Sequence, residues 1–297
     1  MRNLNYFSLP IKFKELSAQK NNFNNNDNKK NLTLKTFILV NDSLVIKNNK
    51  VFFVKNNINE LSLKKKSVFL GMHKNILYYC TSVSDQVYKK ESSFKNTNKL
   101  KIRDSIKLLN SFLASLITYG YSIQDWRRAN NYCGKCGSRT LLKKQENFVI
   151  CSNYKCKNKI FPRINPTVIM SIFYDDKILL ARNKNWPENL YSCLAGFCEN
   201  NESAEEAVKR EAYEETFLKL ANIKYKYSQA WPFSNNLMLG FTAITKKKLI
   251  KINEEEIEDA KWFSKDELVS LVKRKKLKLP TKFAIARHLI EDWKSGI

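Results

Sequence analysis

Short apolar runs separated by polar breakers dominate the first part of the chain. β-Branched or aromatic residues fill the runs, and Asn, Asp, Lys and Gly interrupt them. The five runs are Leu34–Val40, Leu44–Ile46, Val51–Val54, Val68–Leu70 and Ile76–Cys80. They predict a small β-rich domain, and residues 1–33 before it read as a short strand followed by an Asn-rich polar loop.

The apolar period then changes to that of a helix. Between Lys99 and Tyr119 apolar residues recur at helical spacing, which predicts a helix that Gly120 would end. From Thr167 the pattern returns to strands: an apolar run, the pair Asp175–Asp176, and a second apolar run buried on both faces. Three further strands and a closing helix are predicted at Leu190–Ala195, Leu237–Thr245, Asp259–Phe263 and Pro280–Trp293.

One predicted helix carries acids on its apolar side. Ser203 and Glu206 have the spacing of a capping box, which predicts a helix over about Ala204–Phe217. At 100° per residue its apolar arc also holds three glutamates, Glu211, Glu214 and Glu215. Inward carboxylates repel one another and lose hydration, so this arrangement favours a divalent cation with oxygen ligands. A charged surface helix with chance spacing is the alternative.

Four of the seven cysteines form two pairs. They are Cys133, Cys136, Cys151 and Cys156. Pairs of this spacing predict a zinc ribbon, in which four thiolates leave no open coordination position, so the Zn²⁺ would be structural. The odd number of cysteines and the clustering of four of them favour a metal site in a reducing compartment over a disulfide framework. Cys80, Cys193 and Cys198 lack the spacing and are interpreted as ordinary cysteines.

The formal net charge of +25 is unevenly distributed along the chain. It is +15 over residues 1–130, +7 over 131–163 and +3 over 164–297. The excess fits attraction for a polyanion such as RNA, and so do the ribbon lysines Lys143, Lys144, Lys155, Lys157 and Lys159. A general bias towards Lys and Asn, with solvated lysines, is the favoured explanation. No apolar run of membrane-spanning length and no signal-peptide core is present, which predicts a cytoplasmic protein without membrane partners.

The segment from Gly196 to Leu218 resembles the Nudix box, a highly specific motif. Its matching polar and glycine positions are Gly196, Glu202, Arg210, Glu211, Glu214 and Glu215. The chain departs from the family at Phe217, where the family has the Gly that usually supplies a left-handed helix cap.

A second segment is similar to the signature of the NADH pyrophosphatase subfamily, Ser-Gln-Pro-Trp-Pro-Phe-Pro-x-Ser. It matches at Ser228, Gln229, Trp231, Pro232 and Phe233, and departs at Ala230, Ser234 and Asn236. With the zinc ribbon upstream, the resemblance covers about residues 130–293. It implies an α+β or α/β chain: an α/β/α sandwich with a mixed sheet over 164–297, preceded by a zinc ribbon at 129–163 and a β-rich N-terminal domain at 1–128.

The resemblance also implies roles for individual residues. Mg²⁺ or Mn²⁺ would be bound by Glu211, Glu214, Glu215, Glu256 and the Ala195 carbonyl, with Glu215 the preferred base and Gly196, Glu202 and Arg210 as motif support. Phe197 would stack on a base. The substrate pocket would be lined by Gln229, Ala230, Trp231, Pro232, Phe233, Ser234, Asn235, Asn236 and the Ala286 backbone, and by Phe161 of the neighbouring subunit of a homodimer.

The function that this resemblance implies is hydrolysis of the pyrophosphate bond of NADH or NAD to AMP and nicotinamide mononucleotide. Two alternatives stay open. The first is the same reaction on NAD-capped RNA, which the basic N-terminal half would assist. The second is a Nudix-fold binding protein without turnover, against which the three clustered glutamates argue.

Overall fold

The computed structural model describes residues 33–55, 67–143 and 148–296. The strand and Asn-rich loop predicted for residues 1–33 lie outside this part, apart from Thr33. The described chain forms two compact units. One unit comprises residues 164–231 and 235–296, and the other comprises residues up to 163 together with 232–234.

The N-terminal part of the second unit is built on a seven-stranded sheet, as the alternating apolar runs predicted. Its strands are β1 (Thr33–Val40), β2 (Ser43–Lys47), β3 (Lys50–Val51), β4 (Phe53–Lys55), β5 (Val68–His73), β6 (Ile76–Val83) and β7 (Asn98–Lys101). The path β3-β2-β1-β6-β5 carries β4 on β1 and β7 on β2. The central pair β1 and β6 is parallel, and its side chains are largely buried.

The helical segment after this sheet differs from its prediction in both of its ends. Two short helices, α1 (Asp85–Lys90) and α2 (Ile102–Ser105), precede the long helix α3 (Ser111–Ala129). Helix α3 begins where the side chain of Asn110 accepts a hydrogen bond from the Leu113 amide, so the predicted start at Lys99 was wrong.

Gly120 lies inside α3 and does not end it, which corrects the predicted stop. A Cβ at this position would lie 2.6 Å from Cζ of Phe37 and 2.9 Å from Cβ of Cys80. Glycine is therefore needed here for close packing of the helix on the sheet, although its backbone freedom lowers the stability of the helix.

The zinc-ribbon segment of this unit is a small antiparallel sheet. Its strands β8 (Thr140–Lys143), β9 (Phe148–Cys151) and β10 (Lys159–Ile160) lie in the order β10-β9-β8. Cys151 and Cys156 flank the turn between β9 and β10, and Cys133 and Cys136 lie before β8 in a turn that the Tyr132–Arg139 bridge closes.

The other unit is a mixed six-stranded sheet between helices. Its elements are β11 (Asn165–Tyr174), β12 (Lys177–Asn183), β13 (Leu194–Phe197), α4 (Ala204–Thr216), β14 (Leu220–Trp231), β15 (Asn236–Thr245), β16 (Ile257–Phe263), α5 (Lys265–Lys273) and α6 (Ile285–Ser295). The strand order is β14-β15-β11-β12-β16, with β13 on β11. The strands predicted from Thr167, at Leu237–Thr245 and at Asp259–Phe263 are confirmed, whereas β13 contains only Leu194 and Ala195 of the predicted Leu190–Ala195. The closing helix begins later than predicted, and β14 and α5 were missed.

Alternation along the central strands divides the core into two layers. Val168, Met170 and Ile172 of β11 pack on the side of α4, together with Ala207 and Val208 of that helix. Ile169 of the same strand packs on the opposite side, with Leu289 and Ile290 of α6. Because successive side chains of a strand point to opposite faces, one buried strand supplies both layers of the predicted α/β/α sandwich.

None of the helices in the described ranges combines the length and the apolar character needed to cross a bilayer.

Candidate active site

The acidic helix α4 begins as the sequence predicted. The Ser203 side chain accepts a hydrogen bond from the Glu206 amide, and the Glu206 carboxylate accepts one from the Ser203 amide, which completes the capping box. The helix ends at Phe217, which adopts the left-handed conformation with φ 54° and ψ 24°. Phe217 thus takes the backbone conformation that glycine favours, and its ring packs edge-on against Tyr213.

Arg210 links three of the acids by hydrogen bonds. Its Nε and Nη2 donate to the two carboxylate oxygens of Glu202 at 2.8 and 2.9 Å. Nη1 donates to Glu211 and to Glu214, both at 2.9 Å, and Nη2 also donates to the Phe197 carbonyl at 2.8 Å. A guanidinium has five N–H groups, so every donor of Arg210 is engaged. The side chain that was predicted to support the motif therefore fixes three carboxylates and one strand.

Gly196 makes room for one of these carboxylates. A Cβ on residue 196 would lie 1.8 Å from the carboxyl carbon of Glu211. Strand β13 pairs antiparallel with β11, Gly196 opposite Val168 and Ala195 opposite Ile169, which fixes the backbone beside the glutamate. Only glycine at this position allows the Glu211 carboxylate to lie against β13.

Glu215 is the buried member of the acidic group. Glu215 is only 7% exposed, and its Oε2 has no hydrogen-bond partner among the described residues. Burial, with the negative charges of Glu211, Glu256 and Glu214, raises the pKa of Glu215 to about 8. Burial also raises the pKa of Glu211, against the opposing effect of Arg210. Glu214 is exposed, in contrast to its predicted place on the inward arc.

The segment before β16 brings Glu256 to the end of α4. The Asn253 amide donates to the Glu215 carbonyl at 3.0 Å, and the Asn253 carbonyl accepts from the Glu256 amide at 3.2 Å. The backbone of Asn253 thus joins Glu215, at the end of the helix, to Glu256 in the turn. Asn253 was not singled out from the sequence, because nothing in its local pattern shows which carbonyl its amide will reach.

These residues fit a hard divalent cation. Glu215 is buried with one carboxylate oxygen unbonded, and Gly196 leaves room for the Glu211 carboxylate beside strand β13. With Glu214 and Glu256 these residues offer only oxygen ligands, which Mg²⁺ and Mn²⁺ prefer. A cation placed among them would offset both the burial and the repulsion that raise the pKa of Glu215. The residues predicted from the resemblance to hold it are Glu211, Glu214, Glu215, Glu256 and the carbonyl of Ala195, and this set stays a prediction.

The four paired cysteines form a compact thiol cluster. Their sulfurs all lie within 4.8 Å of one another, with Cys133 and Cys156 3.8 Å apart and Cys136 and Cys151 3.4 Å apart. Four sulfurs bonded tetrahedrally to Zn²⁺ at about 2.3 Å would be separated by about 3.8 Å. Hydrogen bonds from Ser138 lower the pKa of Cys136 to about 6, whereas burial raises the pKa of Cys151 to about 12. The predicted four-cysteine cluster is confirmed, and its chemistry fits zinc.

Gln229 has an internal role in the structure. It lies buried in β14, its Nε2 donates to the Phe283 carbonyl at 2.8 Å, and its Oε1 accepts from the Ile285 amide at 2.8 Å. Helix α6 has no side-chain cap of its own at Ala284. Gln229 therefore caps α6 from a distant strand and fixes the backbone that leads to Ala286.

The remaining predicted pocket residues are spread over strand ends and the turn between β14 and β15. Trp231 ends β14 and stacks on Phe283, which the sequence did not single out, with ring centroids 6.3 Å apart. Asn236 begins β15, and its buried Oδ1 has no hydrogen-bond partner within the described ranges. The other members of the set are Ala230, Pro232, Phe233, Ser234 and Asn235, of which residues 232–234 belong to the second unit.

Three predicted substrate contacts lie elsewhere. Phe197 is 54% exposed at the end of β13, directly after Gly196. Phe161 is exposed at the end of the ribbon and packs on Phe148 with ring centroids 5.2 Å apart. Ala286 is buried in the first turn of α6.

Comparison with known proteins identifies the domain that carries the glutamates. A family model described as the NUDIX domain matches residues 164–286. Residues 164–286 are thus similar to a NUDIX domain, as the resemblance of the acidic helix and its flanking glycine implied.

Named relatives extend the similarity into the ribbon. A protein of Pseudomonas syringae named NAD-capped RNA hydrolase NudC is 39% identical over 178 residues, 60% of this chain and 60% of that protein. The mouse mitochondrial NAD(P)H pyrophosphatase NUDT13 is 37% identical over 208 residues, 65% of this chain and 58% of the relative. The human NAD-capped RNA hydrolase NUDT12 is 33% identical over 191 residues, 61% of this chain and 41% of the relative. The chain thus matches about three-fifths or less of each relative's length.

Proposed function

We propose that this protein hydrolyses the pyrophosphate bond of NADH or NAD to AMP and nicotinamide mononucleotide. The observation that carries the proposal is the buried, unpartnered carboxylate oxygen of Glu215 among three other glutamates. A binding protein without turnover has no need of this costly arrangement, because buried like charges destabilise a fold that lacks a compensating cation. The names of the relatives support a diphosphate of NAD as the substrate.

The chain's own residues divide the work in this proposal. A divalent cation held by the glutamates would supply the positive charge that the diphosphate and the attacking water require. Arg210 keeps Glu202, Glu211 and Glu214 in place through its five N–H groups. We assign to Glu215, the buried carboxylate of the group, the role of the base that accepts a proton from the attacking water.

Exposed and unpartnered groups supply the recognition of the substrate. The Phe197 ring, next to Gly196, offers a flat apolar surface for a base. Asn236 presents a buried acceptor without a partner in the described structure, which suits a carboxamide or amino group of the substrate. Gln229, by contrast, is used within the fold, and we assign it to positioning the Ala286 backbone.

The direct experiment is to incubate the purified protein with Mg²⁺ and a panel of NADH, NAD, ADP-ribose, diadenosine polyphosphates and dNTPs. Chromatography should show AMP and nicotinamide mononucleotide as the favoured products. A Glu215→Gln variant should retain its fold and lose most turnover, whereas Glu205→Gln, on the exposed face of the same helix, should retain it. Equal turnover of the Glu215 variant and the unaltered protein would refute the assignment.

Removal of NAD from capped RNA is the second candidate. Relatives from bacteria and from human carry this activity in their names, and the net charge of +15 over residues 1–130 suits an RNA chain. Loss of activity with added salt on capped RNA, without a similar loss on free NADH, would favour this candidate.

The assembly and location of the protein belong to the same proposal. We expect a homodimer in which Phe161 of the neighbouring subunit contacts the substrate, a cytoplasmic location, and the three-part division at residues 128 and 163. Sedimentation of the purified protein tests the dimer, and a monomer with full NADH turnover would remove the shared-site role of Phe161.

A further inference from the structure

One face of the ribbon sheet combines cations with exposed apolar side chains. In the strand register Leu141 lies opposite Ile150 and Ile150 lies opposite Lys159, so these three residues form one row across the sheet. Lys143 lies two residues along β8 and faces the same side. Phe161 follows the end of β10, and its ring contacts Phe148, which shares that side of β9. We call these five residues the ribbon face. The cysteine Cys151 and its neighbour Val149 point to the opposite side of β9.

The ribbon face carries one exposed apolar side chain and one lysine at each of its two edges. Leu141 and Phe161 are each 57% exposed, and Lys143 and Lys159 are exposed. The Lys159 Nζ lies 5.4 Å from the centre of the buried Phe148 ring, which lies on the same side of β9 as Ile150. Solvated lysines alone would not require large apolar side chains to remain exposed beside them.

The turn between β9 and β10 repeats this pairing of an aromatic ring with cations. Tyr154 is 75% exposed, Lys155 lies 5.8 Å from the centre of its ring, and Lys157 is exposed two residues further on. Residues 131–163 hold eight lysines and arginines against one glutamate. Alternating exposed aromatics and cations are the arrangement by which proteins stack bases and pair phosphates of a single strand.

We propose that the ribbon face and the Tyr154 turn bind single-stranded nucleic acid. Lys143, Lys155 and Lys159 would pair with phosphates, and Tyr154 would stack on a base. A double helix fits less well, because paired bases do not offer their faces for stacking. The ribbon face would serve a capped RNA substrate only if the proposed function is right. Binding of a single strand by the ribbon face does not depend on that function.

The test uses the full chain with zinc bound and a fluorescent, uncapped single-stranded RNA of about 15 nucleotides, a length that an extended binding face spans. Binding is measured between about 50 and 200 mM salt. In Lys143→Gln/Lys159→Gln the slope of log affinity against log salt should fall by about 1.4, two phosphate contacts at about 0.7 each. Tyr154→Ala should weaken binding by about fivefold or more, and Tyr154→Phe should restore most of it.

The control removes the same charge elsewhere. Lys246→Gln/Lys248→Gln changes two exposed lysines that follow β15 in the other unit. It should leave binding of the RNA within about twofold of the unaltered protein, since these two lysines are not among the phosphate contacts. All variants are checked for zinc content and for turnover of free NADH, neither of which should change.

Several results would overturn the proposal. Equal losses in the ribbon variant and the Lys246/Lys248 control would show diffuse attraction without a defined surface. Unchanged RNA binding together with altered sedimentation would show that the ribbon face contacts protein. Equal affinity for double-stranded RNA would exclude stacking on Tyr154. Lack of NADH turnover in the unaltered protein would refute the proposed function alone, because the binding experiment needs no reaction.

Discussion

The carboxyl carbon of Glu211 lies where a side chain on residue 196 would begin, 1.8 Å from the position that a Cβ of Gly196 would take. Gly196→Ala must therefore displace the Glu211 carboxylate from strand β13. Misplacement of a reacting group by about 1 Å lowers rates by about 100-fold, and we expect a loss of that order in turnover of NADH. Steady-state kinetics and a thermal melt check the loss and the fold.

Gly134→Ala is the matched control for this change. A Cβ at Gly134 meets nothing within 4 Å, and the backbone there is not in the left-handed region. The control should keep full turnover. If Gly196→Ala keeps it as well, Glu211 does not need its present position for the reaction.

Glu215 makes the stability of the metal-free protein dependent on pH. Its pKa rises from 4.5 to about 8 on folding, so the folded state binds more protons than the unfolded state between these values. The contribution of Glu215 to stability is present below about pH 4.5 and is lost as pH rises through about 8. The melting temperature without divalent cation should fall between pH 5.5 and 8.5, and Mg²⁺ should reverse most of the fall at pH 8.5.

Glu215→Gln supplies the comparison, because glutamine does not titrate. Its melting temperature should change less over the same range, and Mg²⁺ should have a smaller effect. Parallel curves for the variant and the unaltered protein would show that the pH dependence has another source.

Phe217 adopts the left-handed backbone conformation, which is unfavourable for a residue that has a Cβ. Because left-handed backbone costs about 1 kcal/mol or more for a residue with a Cβ, Phe217→Gly should be more stable than Phe217→Ala by about 1 kcal/mol. Both variants lose the ring contact with Tyr213, so the comparison isolates the backbone. Urea unfolding measures the difference, and equal stabilities would contradict the strain.

The cap that Gln229 provides to α6 predicts a loss of stability. Gln229→Ala leaves the Ile285 amide and the Phe283 carbonyl without their side-chain partner, which should lower the free energy of unfolding by about 1–3 kcal/mol. Lys224→Ala, an exposed change in the same strand, should stay within about 0.5 kcal/mol. A raised KM with unchanged stability would instead assign Gln229 to substrate contact.

Removal of metal from the ribbon should destabilise the second unit. A strong chelator should release one zinc per chain, and release should be easier at acid pH because thiolates must take up protons. Cys136→Ser should lower the zinc content, whereas Cys198→Ser, outside the cluster, should not. Full zinc content in Cys136→Ser would exclude that cysteine as a ligand.

The sequence predicted those parts of the fold that local rules decide. The capping box at Ser203, the paired cysteines and the alternating strands all depend on residues near one another in the chain, and the structure has them where predicted. Helix α5 was missed although Ser264 caps it through the Glu267 amide, a local signal that was available.

What the sequence could not show depends on distant contacts. Gly120 reads as a helix stop until Phe37 and Cys80 are seen against it. Gln229 reads as a pocket residue until its side-chain amide is found to bond Ile285 of α6, which lies 56 residues further along the chain. Glu214 falls on the inward arc by angle alone, yet its bond to Arg210 keeps it at the surface.

Strand β11 pairs with β13 through Ile169 and Ala195 while its alternate side chains fill both core layers. Insertion of a single residue between Val168 and Met170 would leave the composition almost unchanged. It would nevertheless exchange the two layers beyond that point and shift the partner of β13. The tolerance of this enzyme-like domain to length changes in its middle strand should therefore be far lower than its tolerance to substitutions there.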